Sequence, residues 1–120
     1  MLQGLKGELH RIWMTIVWSW QGWTAAWAGE RSLRQWTLAN VISAALALML
    51  DFTAPERALI IGFGLLILAA ELLNTGIEEA INRISPDQHP LSKKAKDAGS
   101  AGVALTAIAA GVVWLILLIG

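Results

Sequence analysis

Hydrophobic residues follow a helical period through most of this chain, and polar residues divide it into four segments. In the first segment, about residues 4–29, apolar and aromatic side chains recur every three or four positions between polar ones. A helix with one aromatic face and one polar, partly basic face is typical of a membrane interface. We therefore expect an amphipathic helix that lies along the membrane surface and ends near Gly29.

Three further segments are long and apolar enough to cross a bilayer, which takes roughly 20 residues. They cover about residues 33–52, 55–84 and 98–119. Thr53 is suited to cap the second of these helices, and Pro55 to occupy its first turn. The pattern predicts an all-α membrane protein with a single domain, residues 1–120, that consists of one interfacial helix and three transmembrane helices.

The composition agrees with a membrane location. Of the 120 residues, 56% are hydrophobic and 15% are charged, and six of the seven tryptophans lie in the first 36 residues. Indole side chains are favoured at the headgroup level of a bilayer. The absence of cysteine excludes disulfides and thiolate metal sites. A formal net charge of zero gives no indication of a nucleic-acid partner. The first 30 residues lack a signal-peptide pattern, so we expect the amino-terminal segment to be retained.

Basic residues are divided unequally between the two sides that this topology defines. Arg57 is alone on one side. The other eight basic residues fall on the opposite side: Lys6, Arg11, Arg31, Arg34, Arg83, Lys93, Lys94 and Lys96. Because cytoplasmic segments are enriched in Lys and Arg, we predict a cytoplasmic amino terminus and a carboxy terminus on the outer side.

The second predicted span carries polar residues near its cytoplasmic end. Glu71, Asn74 and Glu78 are spaced at i, i+3 and i+7, which places them on one face of a helix. An ionisable residue in a span costs several kcal/mol and is a candidate functional residue by default. Glu71 lies about 24 Å and Glu78 about 34 Å along the helix from Pro55, in a hydrocarbon core about 30 Å thick. A site there can reach both a lipid headgroup and a cytoplasmic solute.

These carboxylates have alternative interpretations. Glu71 could be a structural carboxylate bonded to a neighbouring helix. Glu30 and Glu78 could hold Mg²⁺, which binds one or two carboxylates together with phosphate oxygens and waters. The spacing alone favours interfacial carboxylates that pair with arginines. The arginines within reach of such pairs are Arg31, Arg34 and Arg83.

Two other charged positions are open in the same way. Glu79 lies about 100° around the helix from Glu78 and is expected to be a solvated or interhelical charge. Lys96 and Asp97 precede the third span. Their positions are sufficiently explained if Lys96 extends toward the membrane surface and Asp97 interacts favourably with the helix dipole in the first turn. The alternative is that Lys96 reaches nucleotide phosphates.

The run Glu71-Leu-Leu-Asn-Thr-Gly-Ile-Glu78 resembles the signature of the small integral-membrane diacylglycerol kinases of bacteria, Glu-x-x-Asn-(Ser/Thr)-(small)-(apolar)-Glu-x-x-(Val/Ile)-Asp. Further matches are Ala25-Ala-Trp27, Glu30, Arg34-Gln35 and Ala95-Lys-Asp-Ala-Gly-Ser-Ala101. The resemblance covers about residues 11–118. Gly76 and Asn82 depart from it, since the family usually has Ala or Ser at the first position and Asp at the second.

The resemblance implies a homotrimeric kinase of the bacterial inner membrane, with active sites shared between protomers, that phosphorylates diacylglycerol to phosphatidic acid. It implies that Glu71 is the general base, that Asn74 arranges the site, and that Glu30 and Glu78 hold Mg²⁺ on the phosphates of ATP. The further nucleotide contacts that it implies are Arg11, Trp18, Asp87, Gln88, His89, Lys96 and Asp97. The lipid-binding positions that it implies are Arg11, Ser19, Trp20, Trp27, Arg34, Arg57, Glu71 and Ser100.

Three rival functions remain at this point. The same fold could act on undecaprenol, and the residues of the acceptor cleft do not separate the two substrates. A proton or ion pathway through Glu71 and Asn74 should continue toward the outer side. However, residues 58–70 contain no ionisable group, and the other spans add only Asn40 and Ser43 there. An interaction scaffold would not need Glu71 at its energetic cost.

Overall fold

Four helices make up nearly the whole chain. The computed structural model describes all residues 1–120 and places helices at Leu2–Gly29 (α1), Arg31–Met49 (α2), Ala54–Ile84 (α3) and Pro90–Ile119 (α4). The all-α prediction is confirmed, and α1 ends at Gly29 as expected. Glu30 alone separates α1 from α2, in an extended conformation with φ −114° and ψ 106°.

The second helix is shorter than the predicted span of 33–52. Its last helical residue is Met49, and Leu50 is already extended. Arg57 lies beside this end and donates hydrogen bonds to the carbonyl oxygens of Ala47 (2.9 Å), Leu48 (3.4 Å) and Leu50 (3.1 Å). The last carbonyls of a helix lack intrahelical partners. The side chain of Arg57 supplies these partners, and a count of apolar residues does not register such a cap.

The third helix begins as the sequence predicts. Thr53 is its N-cap, and Pro55 lies in its first turn. The Thr53 amide donates to Glu56 Oε1 at 2.7 Å, while the Glu56 amide donates to Thr53 Oγ1 at 3.4 Å. This reciprocal capping box satisfies two otherwise unpaired groups. It starts a helix of 31 residues, which at 1.5 Å per residue is about 46 Å long.

The fourth helix begins at Pro90, eight residues before the predicted start of the third span. His89 is the N-cap, and its Nδ1 accepts a hydrogen bond of 3.0 Å from the Leu91 amide. A cap followed by proline is a strong helix start. The polar residues 91–97 therefore form the first two turns of α4 and bring their charges close to the end of α3.

Two of the four helices, α3 and α4, are long and apolar enough to cross a membrane. α2 is not among them, since its 19 residues include Arg31, Arg34 and Asn40. Length and composition therefore support two of the three spans that the sequence predicts.

The central helix of the fold is α3, which packs against both α2 and α4 and touches α1 near the α1–α2 junction. Its buried residues are Ile60, Gly64, Ile67 and Glu71, which recur at helical spacing and form one stripe. Only eight of the 120 residues are buried, and the radius of gyration is 18.1 Å. A compact globular chain of this length would have about 14 Å. The helices thus turn most of their apolar side chains outward.

Polar residues of α2 take part in helix packing. A Cβ atom added to Gly64 would lie 2.6 Å from Asn40 Oδ1, so only glycine admits that side chain. Trp114 of α4 donates an indole hydrogen bond of 2.8 Å to Ser43 Oγ. The rings of Trp114 and Phe52 also pack edge to face, with their centroids 5.7 Å apart. Asn40 and Ser43 therefore lie at contacts between helices.

Candidate active site

Glu71 is the one buried charged side chain in the protein, with 5% of its surface exposed. It belongs to the buried stripe of α3 and faces α2. Ser32 Oγ, in the first turn of α2, donates a hydrogen bond to Glu71 Oε1. Glu71 Oε2 has no hydrogen-bond partner in the chain. A buried carboxylate normally has its oxygens satisfied, so the second oxygen can accept a hydrogen bond from a ligand.

The other polar residues of this face are linked to Glu71 along α3. Asn74 Nδ2 donates to Glu78 Oε1 at 3.2 Å, and Thr75 Oγ1 donates to the backbone carbonyl of Glu71 at 3.1 Å. Asn74 Oδ1 is buried, has no hydrogen-bond partner and lies against Gly99 of α4. The predicted polar face is therefore real, and it extends from the α2 side at Glu71 to the α4 side at Asn74.

A cavity of about 750 Å³ lies where α3 turns into α4. This volume is within the usual range of a small-molecule site. Five of the positions implied as nucleotide contacts line it together: Asp87, Gln88, His89, Lys96 and Asp97. Their convergence follows from the early start of α4, which carries Lys96 and Asp97 back over the loop.

The charges at this cavity are not all paired. Lys93 Nζ forms an ion pair of 2.5 Å with Asp97. Lys96 Nζ instead donates to the neutral amide oxygen of Asn82 at 2.7 Å. Because an amide carries no net charge, Lys96 keeps its positive charge available for an anion. Asn82, which departs from the family signature, is therefore itself the hydrogen-bond partner of Lys96.

A second cleft, of about 610 Å³, lies between α1 and α3. Glu30 and Ser19 line it from the α1 side and Glu79 lines it from α3, while Glu78 is not among the lining residues. The sequence predicts only a solvated or interhelical charge at Glu79. Gly76 also lines the cleft, and a Cβ there would meet nothing within 4 Å, so this departure from the family pattern leaves the cleft open.

The residues present fit a divalent cation only in part. No group of three His, Asp or Glu side chains in the chain is arranged so that it could hold a metal ion. The unpartnered Asn74 Oδ1 next to the Glu78 carboxylate offers the oxygen ligands that Mg²⁺ prefers. Glu30, the other carboxylate proposed for this role, lies in the second cleft. Glu78 and Asn74 therefore lie on one face of α3, and of these three residues only Glu30 lines the second cleft.

Three arginines and the α1 tryptophans lie elsewhere. Arg11 forms an exposed ion pair of 2.6 Å with Glu8. Arg34 donates to the Trp27 carbonyl at 2.5 Å and so caps the end of α1. Arg57 precedes Glu71 by 14 residues, about 21 Å along α3, and the structure does not bring it to the site. The remaining predicted lipid or nucleotide contacts are exposed side chains: Trp18, Ser19, Trp20 and Trp27 on α1, and Ser100 on α4.

The sequence reading missed Ser32 and the partnership of Asn82 with Lys96. A signal for Ser32 was available, because antiparallel neighbours place the start of α2 beside the carboxy-terminal half of α3. A hydroxyl in that first turn therefore lies at the depth of Glu71. For Lys96 no such signal existed, since its position follows from the length of the α3–α4 turn.

A buried carboxylate with a free oxygen, in a helix that can cross a membrane and that ends at a polar cavity, is the arrangement of an integral-membrane enzyme. Residues 17–118 match the family model of prokaryotic diacylglycerol kinase. The chain belongs to this family.

Its relatives include bacterial proteins named diacylglycerol kinase. It is 46% identical over 119 residues to a diacylglycerol kinase of Pseudomonas aeruginosa, covering 96% of this chain and 95% of that protein. It is 40% identical over 108 residues to the diacylglycerol kinase of Escherichia coli K12, covering 90% and 88%. With that of Haemophilus influenzae it shares 37% over 108 residues, covering 90% and 91%.

Proposed function

We propose that this protein is an ATP-dependent kinase of the bacterial inner membrane that phosphorylates the hydroxyl group of diacylglycerol to give phosphatidic acid. The observation that carries the proposal is the buried Glu71, whose Oε2 is free to accept a proton. It stands in a family whose members are named for this reaction.

In the proposed reaction, Glu71 Oε2 accepts the proton of the lipid hydroxyl while the hydroxyl oxygen attacks the γ-phosphorus of ATP. The bond between the γ-phosphorus and the β–γ bridging oxygen breaks, and ADP leaves with the electron pair of that bond. General-base catalysis requires the carboxylate within hydrogen-bond reach of that hydroxyl. Phosphoryl transfer otherwise needs positioning and charge stabilisation more than covalent chemistry. A base at the cytoplasmic edge of the bilayer meets both needs, because the lipid reaches it from the membrane and the nucleotide from the cytoplasm.

The nucleotide is proposed to occupy the cavity at the α3–α4 turn. Lys96 faces it with a positive charge that no carboxylate neutralises. Glu78 and the free oxygen of Asn74 would hold Mg²⁺, which when bound neutralises charge on the phosphates of ATP. The loop residues, Asp87, Gln88 and His89, then lie where the base or ribose of a bound nucleotide would extend.

The lipid is proposed to approach from the membrane interface along α1. Ser19 lines the cleft between α1 and α3, together with Glu30, and Trp20 and Trp27 are exposed on the same helix. Arg34 lies at the α1–α2 junction beside them. Arg57 lies at the other end of α3, where its contacts are those of a helix cap.

We further propose three membrane spans, α2 to α4, with a cytoplasmic amino terminus, and a homotrimer with shared sites. The distribution of basic residues, eight against one, supports this orientation. Within one protomer Glu30 lines the cleft between α1 and α3, and Glu78 does not line it, so we propose that a Glu30 from a neighbouring protomer completes the Mg²⁺ ligands. Native mass spectrometry of the detergent-solubilised protein should give the mass of three chains, and a monomer as the only species would contradict a shared site.

The test of the function is phosphate transfer from labelled MgATP by the purified protein in mixed micelles, with diacylglycerol and undecaprenol offered in parallel. We expect phosphatidic acid from the unaltered protein and a loss of at least about 100-fold in Glu71→Gln, the range of general-base catalysis. Asp51→Asn is the matched control, because it makes the same change at an exposed carboxylate near the other end of α3.

Two outcomes would change the proposal. Transfer to undecaprenol alone would keep the chemistry and replace the acceptor. An unaltered protein that is folded and transfers phosphate to neither lipid would contradict a kinase of either kind.

A further inference from the structure

Ser32 makes a contact that its position in the helix does not require. It lies in the first turn of α2, where Ser and Thr side chains commonly bond to nearby backbone amides. The N-cap of α2 is Glu30, and no side chain caps this helix. The Ser32 hydroxyl is half-buried and donates instead to Glu71 Oε1, 39 residues along the chain.

The direction of this hydroxyl is fixed by its neighbour. Leu33, the next residue, is 1% exposed and is the largest fully buried side chain in the protein. Burial of Leu33 sets the rotation of α2 about its axis, and Ser32 lies about 100° from it around the helix. The rotation of α2 that buries Leu33 therefore also places Ser32 on the side of α2 that contacts Glu71 of α3.

We propose that Ser32 is a positioning residue for Glu71. A hydrogen bond from a neutral hydroxyl to a carboxylate is charge-assisted and directional. By occupying Oε1, the Ser32 hydroxyl fixes the rotation of the carboxylate group. Oε2 is then the oxygen that accepts the proton of the lipid hydroxyl. This role rests on the proposed function of Glu71 as general base, and it adds a residue outside the motif that carries Glu71.

The inference predicts a specific kinetic pattern. Ser32→Ala should lower kcat about tenfold, the loss expected for one hydrogen bond to a charged group. KM for MgATP should remain within about twofold, because the hydroxyl does not touch the nucleotide cavity. Ser32→Thr keeps the hydroxyl and should recover most of kcat. Thr106→Ala is the matched control, since the Thr106 hydroxyl bonds only to the Gly102 carbonyl of its own helix.

The double variant separates positioning from general destabilisation. If Ser32 acts through Glu71, Ser32→Ala should add no further loss of kcat to Glu71→Gln. An infrared difference spectrum provides a readout that does not depend on activity. The carboxylate band that disappears in Glu71→Gln should shift in Ser32→Ala and stay in place in Ser32→Thr.

The outcomes are distinguishable. If the unaltered protein transfers no phosphate, the proposed function fails and the positioning role fails with it. If the unaltered protein is active, and Ser32→Ala has the same kcat and the same carboxylate band as the unaltered protein, the proposed function stands and the inference is wrong. A loss in Ser32→Ala that Ser32→Thr does not recover, or that adds fully to that of Glu71→Gln, would also overturn it.

Discussion

At the scale of single residues, the charge that Lys96 can offer to an anion depends on whether residue 82 is an amide or a carboxylate. Asn82 accepts a hydrogen bond from Lys96 and leaves the ammonium charge unpaired. An aspartate at the same position, as the signature of this family has it, would accept the same hydrogen bond and add a negative charge. The amide therefore holds Lys96 in place without competing with phosphate for it.

Asn82→Asp should raise KM for MgATP two- to fivefold and leave kcat nearly unchanged. An exposed ion pair is worth roughly 0–1 kcal/mol, which Lys96 would have to give up on binding phosphate. The ratio of the two KM values should fall as salt is raised, because salt screens surface charges. Steady-state kinetics at low and high salt measure this.

The control for that experiment is Gln3→Glu, which adds one negative charge at an exposed position on α1. Its KM for MgATP should equal that of the unaltered protein. Equal values of KM for Asn82→Asp and the unaltered protein at low salt would show that the Asn82 contact has no bearing on nucleotide binding.

At the scale of helices, the approach of α4 to α3 depends on one glycine in the small-residue run Gly99-Ser-Ala-Gly102 within α4. A Cβ atom added to Gly99 would collide with Asn74 Oδ1, whereas a Cβ added to Gly102 would meet nothing within 4 Å. Small residues such as these allow two helices to approach closely in a bilayer. Only Gly99 is used for close approach within the protomer, and it is used at the candidate site.

Gly99→Ala should lower kcat roughly tenfold, because the Asn74 amide must turn away and lose its hydrogen bond to the Glu78 carboxylate. Gly102→Ala, three residues further along the same helix, should stay within about twofold of the unaltered protein. Kinetics and thermal stability in detergent measure both variants. Equal losses in the two would point to a general need for small residues in α4 and would contradict the contact with Asn74.

The parts of this fold that the sequence predicted correctly are those that depend on residues close together in the chain. The end of α1 follows from a glycine, and the start of α3 follows from an N-cap threonine and a proline. The polar face of α3 follows from helical spacing. The early end of α2 and the partner of Lys96 were missed, because each depends on one side chain reaching an element that is distant in sequence. Ser32 was missed for the same reason, although its depth could have indicated it.

At the scale of the whole molecule, the number of spans decides on which side of the membrane each loop lies. If α2, α3 and α4 all cross, the amino terminus and the α3–α4 turn are on one side, and the α2–α3 turn and the carboxy terminus are on the other. If only α3 and α4 cross, the α2–α3 turn joins the side of the amino terminus. The chain contains no cysteine, so one introduced thiol reports on one position without background.

We expect a membrane-impermeant thiol reagent to label Asp51→Cys and Gly120→Cys from outside spheroplasts, and Ser92→Cys only after the membrane is permeabilised. Asp51 and Gly120 are exposed residues at the ends of helices, and Ser92 lies in the first turn of α4. Crossing by α3 and α4 alone, with the amino terminus still inside, would give the reverse pattern at all three positions. Three spans with the opposite orientation would give that reverse pattern too, so a fourth thiol, Gln3→Cys, separates these cases. It stays protected whenever the amino terminus is cytoplasmic. The predicted result places Glu71 at the cytoplasmic edge of the membrane, where a kinase that uses ATP has to hold its base.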